Sequence, residues 1–183
     1  MELVRLVAAL SLARMRPILV VAGAPCLEEI DHIVAVCGMG EPSRWDLEVA
    51  TLKKERKRIG PLDDSAIPEY FQSTAAGIAV SVTSEASVVE DEGKRISSNI
   101  ANFWDSCDDI MHAGNGYASP GLGIKTTLRG VEDMWQADDV RLLSASPRDS
   151  LGVFAVRLSE IRDKYPKRYQ VAQVLADCAG WNA

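Results

Sequence analysis

The chain has 183 residues, of which 47% are hydrophobic and 25% charged, with 13 glycines and 8 prolines. This composition is too apolar for a disordered chain and too poor in glycine and proline for a low-complexity one, so it predicts one folded domain over residues 1–183. Its 20 lysines and arginines against 26 aspartates and glutamates give a formal net charge of -6, which disfavours binding of the whole molecule to nucleic acids and anionic membranes.

The N-terminal segment is apolar nearly all round. Residues 2–15 therefore predict a first helix that is buried in a core or in a subunit interface, and Pro17 predicts its end. The apolar run after Arg5 has the position of a signal peptide, but this run and the uncharged run 17–27 both fall short of the about 20 residues that cross a bilayer. We expect no membrane span and an intracellular location, whether cytoplasmic or within a virion.

Two amphipathic helices are predicted next. The first begins near Pro25 and ends at Gly38, and its apolar face consists of Cys26, Ile30, Ile33, Val34 and Cys37. The second begins with Ser43 as its N-cap, has Asp46 three residues further on, and ends at Gly60.

The centre of the sequence contains the longest helical pattern. Pro68 can occupy the first position of a helix. Beyond it, apolar residues recur every seven positions at Val82, Val89, Ile96, Phe103 and Ile110. This spacing predicts one long helix or two stacked helices that are broken near Gly93. Short strands are an alternative over residues 17–24 and 75–90, where β-branched and small residues are common.

Residues 114–123 form the clearest predicted loop, because glycines and a proline stand at turn positions. A sub-boundary of the domain can lie here. The start and stop signals of the three helices that follow are Thr126 or Thr127, Ser146 with Pro147, Pro166 and Gly180. Asp138 and Asp139 interrupt the apolar face of the first of these helices. Together the patterns predict an all-α, single-domain bundle of about six to seven helices.

A dense basic run lies at the end of the third predicted helix. It consists of Lys53, Lys54, Arg56, Lys57 and Arg58, with Glu55 among them. A solvated face beside the negative end of the helix dipole is one interpretation. The functional alternative is a contact with phosphate, and so with RNA, because the run makes a local positive patch on an acidic molecule.

No motif for catalysis, a cofactor or a metal is complete in the sequence. Ile124 stands where a phosphate-binding Walker A loop requires glycine. Asp108 and His112 supply two metal ligands where a structural zinc site needs four. Acids clustered at residues 105–109 and 132–139 are candidates for carboxylate catalysis, although we expect most of them to be solvated. Without disulfide or metal spacing, the cysteines are predicted to be reduced and mostly buried: Cys26, Cys37, Cys107 and Cys178.

These observations favour a non-enzymatic helical assembly protein without catalytic residues, cofactor or metal. Its first helix and its four tryptophans would pack against copies of the chain or partner subunits, as in a viral coat or nucleocapsid-like protein that contacts RNA through the basic run. The net acidity argues against the RNA contact. The alternatives are a small helical enzyme with acids from region 105–112 and a soluble regulatory module that binds a protein partner.

Overall fold

The computed structural model describes residues 2–39, 45–62, 64–83 and 89–181. The regular elements in these ranges are eight α-helices and a short 3₁₀ turn, Gly116–Ala118. The helices are α1 (Glu2–Val21), α2 (Leu27–Cys37), α3 (Asp46–Ile59), α4 (Pro68–Thr83), α5 (Val89–Ala113), α6 (Leu128–Ala145), α7 (Ser150–Asp163) and α8 (Tyr165–Ala179). The predicted all-α bundle is confirmed. Of the two segments for which strands were an alternative, residues 17–21, 75–83 and 89–90 are helical, whereas 84–88 lie outside the described residues.

Helix α1 lies at the centre of the bundle, where it contacts α2, α4, α5, α6, α7 and α8. Its side chains from Leu6 to Met15 are buried throughout. A helix that neighbours enclose on all sides needs apolar residues all round, so burial within this chain accounts for the composition of the segment.

Helix α1 does not end at Pro17, as the sequence predicted, but continues beyond it. Proline lacks the N–H that would donate to the carbonyl of Ala13, four residues earlier. That carbonyl instead accepts a hydrogen bond of 3.0 Å from the hydroxyl of Tyr165 at the start of α8. The helix can pass through the proline because a distant side chain replaces the missing bond.

Helix α2 carries the predicted apolar face. All five residues of the α2 face are buried, and Gly38 caps the C-terminus of the helix. Trp45 and Leu52 of the α3 segment are buried as well. The predicted N-cap of α3, Ser43, lies outside the described residues.

The seven-residue pattern runs through two helices, and Gly93 lies inside α5 rather than at the break between them. Pro68 opens α4, as predicted. Val82 of α4 and Ile96 and Phe103 of α5 are buried in one core, which explains why the spacing continues from helix to helix. A glycine within a helix costs about 1 kcal/mol, and the packing of this apolar stripe outweighs that cost.

The last three helices follow the predicted signals with one correction. The Thr127 hydroxyl caps α6 by accepting from the Gly130 N–H at 3.0 Å, and Gly180 caps α8 in the left-handed conformation with φ 72°. Helix α7 begins at Ser150 and not at Pro147. The intervening residues form a turn, closed by a 3.0 Å bond from the Asp149 N–H to the Ser146 carbonyl.

The four cysteines are free thiols, as predicted, with Cys178 half-buried and the others buried. Burial raises the pKa of Cys26 to about 11 and that of Cys37 to about 12. None of the helices in the described ranges combines the length and apolarity that a bilayer span requires.

Candidate functional site

A pocket of about 580 Å³ lies between α1, α5, α6, the start of α8 and the loop that precedes α6. Much of its wall is apolar and includes Ile18, Trp104, Leu122, Leu128, Val131 and Val171. Its cationic lining residues are Arg14, Lys125, Lys164, Lys167 and Arg168. Glu132 is the one acidic lining residue in the described part of the chain. Size and composition are those of a small-molecule site.

A buried ionic network lies beneath the pocket. Arg14 donates through Nε and Nη2 to the Glu132 carboxylate at 2.8 and 2.9 Å, and through Nη1 to Asp139 at 2.7 Å. The second oxygen of Asp139 accepts from Arg157 Nε at 2.8 Å. Ser11 donates to Glu132 at 2.8 Å. Burial by itself would lower the pKa of Arg14, but Glu132 and Asp139 outweigh it and raise that pKa.

Glu132 and Asp139 are only 2% and 0% exposed, so both are exceptions to the expectation that most acids of this region are solvated. Arg14 satisfies them from a position 118 and 125 residues away in the sequence. A carboxylate becomes tolerable in a core when a cation and hydrogen-bond donors surround it. Glu132 and Asp139 therefore belong to the buried face of α6, which contacts α1 through their ion pairs with Arg14.

Three of the lining cations come from the start of α8: Lys164, Lys167 and Arg168. Positive charge is unfavourable there, because the N-terminal end of a helix dipole is itself positive. The indole ring of Trp135 offsets part of this cost, with Lys164 Nζ at 3.9 Å and Arg168 Cζ at 5.8 Å from its centroid.

Arg168 is half-buried, and no carboxylate in the described ranges forms an ion pair with it. Its guanidinium donates at 3.5 Å to the main-chain carbonyl of Arg14. Burial, together with the charge of Arg14, lowers the pKa of Arg168 to about 10. The charge of Glu132 offsets part of this effect without an ion pair to Arg168. A half-buried cation without an ion pair is costly, so this side chain stands out among the lining residues.

Asp108 holds the loop and the start of α6 in place beside the pocket. Its carboxylate accepts from the N–H of Leu128 at 2.7 Å, from the N–H of Arg129 at 3.0 Å and from the Tyr117 hydroxyl. His112 Nδ1 lies 2.7 Å from the Asp108 carbonyl. Both residues thus serve local structure, and the described residues contain no group of three or more metal-ligating side chains.

The basic run predicted to contact nucleic acid lies on α3, and none of its five residues lines the pocket. All five are exposed: Lys53, Lys54, Arg56, Lys57 and Arg58. Arg58 pairs with Glu55 at 2.8 Å, and the Arg56 guanidinium lies against Gly77 of α4. At 100° per residue, the four cations other than Arg56 occupy an arc of about 140° of the helix surface: Lys53, Lys54, Lys57 and Arg58.

Sequence reasoning missed the residues that build the pocket, although two signals were present. Arg14 is a charged residue that continues an apolar helix, and such a residue needs a buried partner. Lys164, Lys167 and Arg168 surround Pro166, a proline that already marked the start of the last helix. Cations in that first turn oppose the helix dipole, which is a reason to suspect an anion site.

Chemically, this arrangement suits binding more than catalysis. Its wall can take hydrocarbon out of water, and its rim can attract an anion. The carboxylate of Glu132 already accepts hydrogen bonds from Ser11, Arg14 and Gln136, so it is not poised to take a proton from a ligand.

No protein-family model matches the chain, and comparison with curated proteins and with solved structures finds no similar protein. The geometry of the pocket is therefore the basis on which a function can be assigned.

Proposed function

We propose that this chain is a binding protein for a small amphipathic molecule, which it holds in the pocket between α1, α5, α6 and α8. The observation that carries the proposal is the pocket itself, about 580 Å³ of space with apolar walls inside a helical bundle. Burial of apolar surface contributes about 25 cal/mol per Å², so a ligand that covers these walls gains several kcal/mol.

A helical enzyme with acids from region 105–112 has less support. Asp105 and Asp109 are exposed, and Asp108 is engaged by the start of α6. Glu132, the acid at the pocket, is held by donors of the protein. General acid or base catalysis requires a carboxyl group that can exchange a proton with the substrate.

Self-association and a contact with RNA stay predictions from the sequence. The apolarity of α1 no longer favours a subunit interface, because its burial within the bundle explains it. Exposure of the basic run supports a phosphate contact at Lys53, Lys54, Arg56, Lys57 and Arg58. The net charge of -6 opposes it, and the pocket supports neither.

Titration with N-phenyl-1-naphthylamine, a neutral dye that fluoresces in apolar surroundings, tests the proposal. The native protein is expected to show saturable binding at one site. Val131→Phe places a ring in the pocket and is expected to weaken binding at least about tenfold, a loss of about 1.4 kcal/mol. Val140→Phe makes the same change on the same helix at an exposed position, 43% accessible, and should leave the affinity within about twofold.

Circular dichroism must show equal helix content in both variants. Equal affinities of the two variants, or a native protein that binds no dye at saturating concentration, would contradict the proposed function.

A further inference from the structure

We infer that the ligand carries an oxyanion, a carboxylate or phosphate group, that Arg168 binds together with Lys164 and Lys167 at the start of α8. This inference rests on the proposed function and specifies the chemical class of the molecule in the pocket. Three independent features of the described residues support it: an arginine without an ion pair, cations at the N-terminal end of a helix, and an apolar space beside them.

Arg168 differs from the two arginines that are buried more deeply. Arg14 binds Glu132 and Asp139, and Arg157 binds Asp139 and Glu160. Within the described ranges, Arg168 has instead one long hydrogen bond to a carbonyl and a ring contact with Trp135. A guanidinium has five N–H donors in a planar fork that fits carboxylate and phosphate groups, so most of its binding capacity is unused.

The surrounding cations add to the positive potential instead of relieving it. Lys164 occupies the N-cap position of α8, and Lys167 stands in its first turn. Lys167 Nζ lies close to Gly123 of the loop. Lys125 lines the pocket from the same loop. Like charges that converge on a helix N-terminus repel one another, and a bound oxyanion removes this repulsion.

The apolar wall of the pocket indicates the chemistry of the rest of the ligand, beyond its acidic group. Trp104, Val131 and Val171 line the same pocket as the cations. The indole N–H of Trp104 is buried and, in the part of the chain that is described, has no hydrogen-bond acceptor. An acidic group at α8 would match the cations, and a mainly hydrocarbon or aromatic body against α5 and α6 would match the apolar side chains. A polar atom of that body can accept from the Trp104 N–H.

The test displaces N-phenyl-1-naphthylamine with three competitors that share one alkyl chain: octanoate, octyl phosphate and the neutral 1-octanol. On the native protein, at least one of the two anions should displace the dye at a lower concentration than 1-octanol does. Added salt should reduce this difference. Arg168→Gln is expected to weaken the best anion about tenfold and to leave 1-octanol and the dye within about twofold. Arg162→Gln removes the same charge from an exposed position of α7 outside the pocket, and should change none of these affinities.

The outcomes separate this inference from the proposed function. Selective loss of anion binding in Arg168→Gln supports it, and the better of the two anions identifies the head group. Unchanged anion binding in that variant overturns the inference while dye binding leaves the proposed function intact, whereas absence of dye binding overturns both. Should Arg168→Gln fail to fold, Lys167→Gln at an exposed position replaces it, with an expected loss of about threefold for the anions alone.

Discussion

Arg14 connects several helices through the buried ionic network of the bundle. It joins α1 to α6 by hydrogen bonds to Glu132 and Asp139, and through Asp139 it is linked to Arg157 on α7. Arg14 is 1% exposed and pairs with both buried acids, and the buried Arg157 pairs with Asp139 as well. Such a group contributes more through the cost of its removal than through net attraction, because Glu132 would stay buried without a cation and Asp139 would keep only Arg157.

Arg14→Met should therefore lower the free energy of unfolding by about 3–5 kcal/mol, since Glu132 and Asp139 lose their shared partner. Urea denaturation measures this change. Arg141→Met is the matched control, because Arg141 pairs with Asp138 at an exposed position where ion pairs contribute at most about 1 kcal/mol. A loss below about 1 kcal/mol for Arg14→Met would show that the network is not the structural centre described above.

At the scale of elements, the start of α8 has two separate roles. Its Tyr165 hydroxyl replaces the hydrogen bond that Pro17 removes from α1. Its cations, among them Arg168, line the pocket. The same turn therefore stabilises the central helix and shapes the proposed binding site.

Tyr165→Phe removes the donor from the Ala13 carbonyl and should cost about 1–3 kcal/mol, because a buried acceptor is left unsatisfied. The control is Tyr169→Phe on the same helix, whose hydroxyl accepts from the half-exposed Arg16 at 2.8 Å. Water can replace that bond, so a cost below about 1 kcal/mol is expected. Thermal unfolding of the two variants compares them, and equal midpoints would contradict the role assigned to Tyr165.

Helix faces could be predicted from the sequence, whereas some helix ends could not. The faces of α2 and α5 follow from the spacing of apolar residues, which depends on the residues of the helix alone. The extension of α1 through Pro17 depends on Tyr165, far away in the chain. The start of α7 at Ser150 depends on which of several turn residues forms the cap. Local signals mark candidate ends, and tertiary contacts select among them.

For the binding of anions, the distribution of charge over the molecule matters more than the net charge. A net charge of -6 argues against a broad anion-binding surface. Yet cations collect at two places, on α3 and around the pocket. Composition could predict the first cluster because it is contiguous, whereas the second joins Lys125 to Lys164 and Arg168 only after folding. The all-α class was therefore predictable, whereas the sequence contained only partial signals of the pocket, at Arg14 and around Pro166.

Tryptophan NMR can detect directly whether an apolar molecule with an acidic group binds in the pocket. The chain has 4 tryptophans, so labelling with ¹⁵N-tryptophan gives one indole signal for each. Trp104 and Trp135 line the pocket. Trp45 lies under Arg5, and the Trp181 indole N–H donates to the Ala66 carbonyl, both elsewhere in the bundle. Single Trp→Phe variants assign the signals.

Titration with octanoate is expected to shift the signals of Trp104 and Trp135 along one saturable curve and to leave those of Trp45 and Trp181 in place. Four unmoved signals at saturating octanoate, or shifts confined to Trp45 and Trp181, would contradict the claim that this pocket is the binding site.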